Sequence, residues 1–66
     1  MIICEYDKVM LTTGEMARIS EVLEEGVAYV ADIFKRGGKI SIEHISQDDI
    51  YSVFKEVEHP LRERVI

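Results

Sequence analysis

Sixty-six residues with thirteen acidic and eight basic side chains carry a formal net charge of -5, and 47% of the residues are hydrophobic. Such a chain builds one domain at most, and its apolar content excludes a disordered segment. The acidic balance argues against a general affinity for DNA, RNA or anionic membrane, and no apolar run reaches the length of a membrane-spanning helix.

Residues 2–11 are rich in β-formers and are expected to form a strand, or a short hairpin if Asp7-Lys8 turns the chain. Cys4, inside this run, is expected to be a small packed hydrophobe. Thr12-Thr13-Gly14-Glu15 then has the pattern of a capping box, with Thr12 as N-cap and Glu15 three positions on. Leu11 and Met16 would form the accompanying staple. The spacing predicts a long amphipathic helix from about Thr13 to Arg36, ended by Lys35, Arg36 and Gly37. Its apolar side covers roughly 160°, and Met16, Ile19, Leu23, Gly26, Val30 and Ile33 follow a 3-4 spacing within it.

Residues 39–45 read as a second, half-buried strand with Ile40 and Ile42 facing inward and His44 partly buried or at a strand edge. Ser46-Gln47-Asp48-Asp49 is a second capping box, stapled by Ile45 and Ile50. Ile50, Val53, Phe54 and Val57 then give one face of a short C-terminal helix that Pro60 ends. Leu61 to Ile66 is a short turn or a tail. The expected fold is therefore a single α+β domain over residues 1–66.

A homodimer is expected from this picture. A helix of about 24 residues is ~36 Å long, more than a body of this size can cover. Two strands and a short helix would leave its apolar arc exposed, whereas a second copy would bury it. The expected dimer interface is Met16, Ile19, Leu23, Gly26, Val30 and Ile33. Gly26 would mark a kink or a close approach of two backbones.

No catalytic, cofactor or metal constellation emerges. Cys4, His44 and His59 lack ligand spacing and share no nucleophile-base signature. Gly37-Gly38 follows the expected helix instead of preceding it, the wrong polarity for a phosphate site. Glu21, Glu24, Glu25 and Asp32 would line the polar side of the long helix. One unpaired cysteine and an N-terminus without a charged leader point to the cytoplasm.

Leu11-Thr12-Thr13-Gly14-Glu15-Met16-Ala17-Arg18 resembles the opening of excisionase or MerR-type helix-turn-helix domains, with looser similarity at Lys35–Ile40 and Ser46–Ile50. That resemblance implies DNA binding through a basic recognition helix. Where such a helix would lie, this chain has Glu21 to Glu25 and an apolar run, with no Arg, Lys, Asn or Gln from residue 19 to 34.

The expected function is a dimeric protein-binding module that acts as a regulator, inhibitor or accessory subunit, and not an enzyme. Tyr29 and Tyr51 would anchor an unidentified protein partner, with Glu21, Glu25 and Asp32 steering it. The alternatives are a small DNA-binding regulator using Lys35, Arg36 and Lys39, with Arg62 and Arg64, and an acidic mimic of nucleic acid.

Overall fold

The chain is all-β in the computed structural model, which describes residues 2–55. Five strands, β1 (Lys8–Leu11), β2 (Met16–Glu24), β3 (Ala28–Phe34), β4 (Ile40–Ser46) and β5 (Ile50–Phe54), form one antiparallel sheet in the order β4-β3-β2-β1-β5. The first four make a meander, and the fifth returns to pair with β1. Among the described residues the only helical segments are 3-10 turns at Arg36–Gly38 and Gln47–Asp49.

The long amphipathic helix over 13–36 and the α+β class are thus overturned: β2, β3 and the turn between them occupy that stretch. The residues explain why. In β3, Tyr29, Ala31 and Ile33 are buried while Val30 and Asp32 between them are half-exposed. In β2, Ala17 and Ile19 alternate in the same way with Arg18 and Ser20. This is period two, with β-branched and aromatic residues on a pleated surface. The residues of the expected seam change parity along it, so they do not share a face. Ile19 and Ile33 are in the core, Met16 and Val30 are half-exposed, Leu23 is exposed, and Gly26 sits in a turn. The helix-turn-helix resemblance fails with the helix.

The first capping-box pattern is a hairpin loop. Gly14 donates its N–H to the Leu11 carbonyl (2.8 Å), and Leu11 donates to Glu15 (2.8 Å). Gly14 has φ 93°. That is a three-residue loop, a tight turn followed by a left-handed glycine. The Ser46–Asp49 capping box does form, but around a single 3-10 turn. The expected C-terminal helix is strand β5 as far as Phe54; Val57, His59, Pro60 and the tail lie outside the described residues.

With no helix layer among the described residues, the sheet covers itself. Ser46 and Ile50 end and begin strands on opposite edges and at opposite ends of β2, so they would be more than about 19 Å apart if the sheet were flat. The four-residue step between them spans ~14 Å at most. The sheet must therefore curl to bring the two together. Register shifts in β2, between Ile19 and Glu21 and between Val22 and Glu24, and in the β1–β5 ladder supply the extra coil. The turn at Gln47–Asp49 bridges the two ends of the sheet: Gln47 donates to the Val27 carbonyl in the β2–β3 turn (2.8 Å), and Thr12 in the β1–β2 loop donates to the Asp49 carbonyl (2.9 Å).

The concave face holds the core of Ile3, Val9, Leu11, Ala17, Ile19, Tyr29, Ala31, Ile33, Ile45 and Ile50. Alanines at 17 and 31, on the two central strands, leave room for Tyr29, which is 0% exposed. Its hydroxyl donates to Gln47 Oε1 (2.5 Å) and accepts the Gly26 N–H (3.1 Å). A buried phenol needs such partners, and here they tie the β2–β3 turn to the segment after β4.

An ion pair joins the β1–β2 loop to the β3–β4 loop. Lys35 Nζ, after β3, lies 2.7 Å from Glu15 Oε2, before β2. The Lys35 hydrogen bond, with a second from Thr13, holds the Glu15 carboxyl below its ordinary range. Glu15 in turn holds the Lys35 ammonium above its ordinary range. The Glu15 contribution is complete above the ordinary carboxylate pKa and lost as pH falls through the lowered value. The Lys35 contribution is complete below the ordinary lysine pKa and lost as pH rises through the raised value. Both side chains are partly exposed, so the effect is small. Glu15→Gln should flatten the acid side of the melting-temperature profile. An acid limb identical to that of the parent chain would contradict the pairing.

Candidate interaction surfaces

The convex face of the sheet carries the positions that the core does not use. Cross-strand partners share a face, so the register maps it directly. Phe34 on β3 stands opposite Ile40 on β4, Asp32 opposite Ile42, and Val30 opposite His44. Ile40 and Ile42 were expected to face inward; they are 58% and 71% exposed, and the inward positions go to Ser41, Glu43 and Ile45. One ladder step reverses every side chain of a strand, and three isoleucines in six residues leave the choice of face open. Ile45 falls on the other parity and wins the core place because it pairs with Tyr29. The result is an exposed apolar strip of Phe34, Ile40 and Ile42 along an edge strand.

A second feature lies at the opposite side. Lys8 stands opposite both Arg18 on β2 and Phe54 on β5. Tyr6, Phe54, Lys8, Arg18 and Lys55, with Glu5 and Asp7, line a shallow cleft of about 200 Å3. Tyr6 holds a left-handed backbone (φ 72°), fixed by its N–H to the Ile19 carbonyl (2.7 Å) and by Arg18 Nη1 on its own carbonyl (3.0 Å). Such a conformation is uncommon outside glycine, and over-determined contacts maintain it. Lys55 pairs with Asp7, whose carboxylate holds the ammonium above its ordinary range. The cleft is smaller than ordinary small-molecule sites. Another hollow, of about 190 Å3, lies by Thr13, Glu15, Glu43, His44 and Asp49 over Ile33 and Ile45.

The residues expected to bind a partner are dispersed. Tyr29 is a core residue and cannot anchor anything at the surface. Tyr51 is 70% exposed, on β5 at the far edge from β4. It falls between the Met10–Ser52 and Leu11–Ile50 pairs, as the extra residue of the ladder shift. Glu21 and Glu25 are exposed near the β2–β3 turn, while Asp32 is half-buried beside Ile42. They form no single ridge. Lys35, Arg36 and Lys39 share the β3–β4 loop, with Lys35 already paired to Glu15. Cys4 is exposed rather than packed. Among the described residues no three His, Cys, Asp or Glu side chains group as metal ligands. No helix among them is long and apolar enough to cross a membrane.

The β4 strip is not evident in the sequence, because its isoleucines fit a core face equally well. A signal was present: Ile40, Ile42 and His44 alternate with Ser41 and Glu43, and parity alone does not say which set is buried. Comparison with protein-family models, with curated proteins and with solved structures gives no match.

Proposed function

We propose that the chain is a small protein-binding module, acting as a regulator, inhibitor or accessory subunit in the cytoplasm. The observation that carries this reading is the strip of Phe34, Ile40 and Ile42, side by side on the convex face along an edge strand. Large apolar side chains grouped in the open mark interaction sites. An edge strand adds a row of backbone donors and acceptors that an incoming segment can pair with. Apolar burial, at roughly 25 cal/mol per Å2, supplies the affinity. Charges near the surface, Glu21, Glu25 and Asp32 among them, set association rate and specificity. Tyr51 offers a separate contact at the far edge.

The test is affinity capture from the native host with mass spectrometry, comparing the parent chain with an Ile40→Glu/Ile42→Glu double variant. Both positions are exposed, so the fold should survive, as circular dichroism would show. A specific partner recovered with the parent chain should fall at least tenfold with the variant. Equal recovery by both would sink the β4 strip as the docking surface.

A further inference from the structure

The sheet has two edges, and the sequence treats them differently. β5 is five residues long, and its ladder with β1 is interrupted by the shift at Tyr51. Irregularity of this kind blunts an edge against further pairing. β4 is seven residues long, pairs with β3 in unbroken register from Ile40 to Ser46, and has no proline. Its convex side chains include the two most exposed isoleucines of the sheet. Among the described residues no strand pairs with the outer edge of β4, and its convex side is apolar, the kind of edge that can template another strand.

The hydrogen-bond phase of β4 follows from its two ends. Lys35 donates its N–H to the Lys39 carbonyl (2.7 Å), and Gln47 donates to Val27 (2.8 Å). In an antiparallel ladder the bonded pairs recur at every second residue. Ser41, Glu43 and Ile45 therefore turn their N–H and C=O groups toward β3. Ile40, Ile42, His44 and Ser46 turn theirs to the free edge. Ser46 confirms the phase, because its outward N–H is taken by the Asp49 carboxylate (2.9 Å). Three residues remain with both groups directed outward: Ile40, Ile42 and His44.

We propose that this edge pairs with itself: two copies join β4 to β4 in antiparallel register about a two-fold axis at Ile42. The inference rests on the reading of the β4 strip as a docking surface and names its occupant. The phase singles out the register. With the axis at Ile42, that residue exchanges both bonds with its counterpart, and Ile40 exchanges both with the His44 position of the other copy. All three outward-facing residues are then used. On the concave side Ser41 stands opposite Glu43. Moving the axis to Glu43 would set two carboxylates directly opposite, which is destabilising, and would call on the Ser46 N–H that Asp49 already holds. Moving it to Ser41 would place His44 opposite Gly38, in the loop where β4 has not begun. In the favoured register the strip continues across the axis, from Phe34, Ile40 and Ile42 of one copy to the same three of the other. The two five-stranded sheets become one.

The experiment is sedimentation equilibrium of the full chain at 10–300 µM, a range set on the order of the affinity expected for an interface of modest size. The parent chain should sediment as a dimer of its 7.6 kDa mass. Ile42→Lys, which sets two ammonium groups opposite each other on the axis, should be a monomer with unchanged circular dichroism. Ile42→Pro should also be a monomer and stay folded, because the N–H it removes faces outward and proline is tolerated there. Should Ile42→Pro unfold, Ile42→Lys alone decides. A parent chain that is monomeric throughout, or folded variants that remain dimers, would overturn the self-pairing. If the parent chain is monomeric and its captured partner is still lost with the double variant above, the strip binds a strand of another protein; the docking reading then survives and this one does not.

Discussion

Replacing Tyr29 with alanine should remove a large share of the chain's folding stability. The side chain is 0% exposed and stands between Val22 and Ile45, its cross-strand partners on β2 and β4. Emptying a site of aromatic size costs about 3–5 kcal/mol. At 0.05–0.15 kcal/mol per residue, a chain of this length has only about 3–10 kcal/mol of stability to lose. The hydroxyl adds a separate loss, since it accepts the Gly26 N–H and donates to Gln47 Oε1. Tyr29→Phe isolates that part and should cost about 1 kcal/mol, the net worth of such hydrogen bonds where the partner is in reach of water. Urea unfolding followed by far-ultraviolet circular dichroism reads both variants. Were Tyr29 a surface anchor, its truncation would change stability by no more than about 0.5 kcal/mol. A Tyr29→Ala midpoint that matches the parent would therefore remove the residue from the core.

Tyr29 also shows where the sequence misleads. The flanking segments are legible: residues 2–11 and 39–45 read as strands, and Lys8–Leu11 and Ile40–Ser46 are strands. Between them, two features imitate a helix. One is chemical. Thr-Thr-Gly-Glu serves a helix start and a three-residue hairpin loop equally well, because both use a hydroxyl residue, a flexible glycine and an acid that accepts hydrogen bonds. In the loop it is Thr13, not Thr12, whose hydroxyl takes the Glu15 N–H (3.2 Å). The other feature is geometric. Strict alternation would put Ile19 and Glu21 on one face. The shift between them delivers Val22 to the core instead, opposite Tyr29, and a second shift follows before Glu24. Inward residues are then three apart, as on a helix. Helix-forming Met, Ala, Arg, Leu and Glu in β2 complete the imitation. β3 carries the clearest period-two pattern, but it was absorbed into the longer reading.

The site was less legible than the strands for a related reason. Which face of β4 is buried depends on the pairing of Tyr29 with Ile45, and that pairing exists only once 13–36 is a hairpin. With a helix there, Ile40 and Ile42 had to supply the core. With a hairpin, the core is complete without them, and they become the most informative surface of the molecule. The homodimer proposed above accordingly rests on a strand edge and not on a helix face.

Gly26→Ala separates the two architectures by the sign of its effect. In the interior of an exposed helix, alanine is better than glycine by about 0.8–1 kcal/mol, so the substitution would stabilise the chain. In the hairpin, Gly26 follows Glu25 in a tight turn closed by the Val27 N–H on the Glu24 carbonyl (2.9 Å), and its φ is 78°. That is the backbone a turn of this kind asks of its third residue, and glycine adopts it freely. A Cβ at this position would meet nothing within 4 Å, so crowding by neighbours adds no cost. The whole penalty is conformational: an L-residue held in the left-handed region loses about 1–2 kcal/mol. The Gly26 N–H bonds the Tyr29 hydroxyl, so the backbone cannot relax to a negative φ without disturbing the core partner. The melting temperature should fall by roughly 5–15 °C, at 4–8 °C per kcal/mol for a domain of this size. Gly26→Asn should fall less, because asparagine tolerates the left-handed region better than alanine. A rise in melting temperature for Gly26→Ala would be incompatible with the β2–β3 hairpin and would restore the helix.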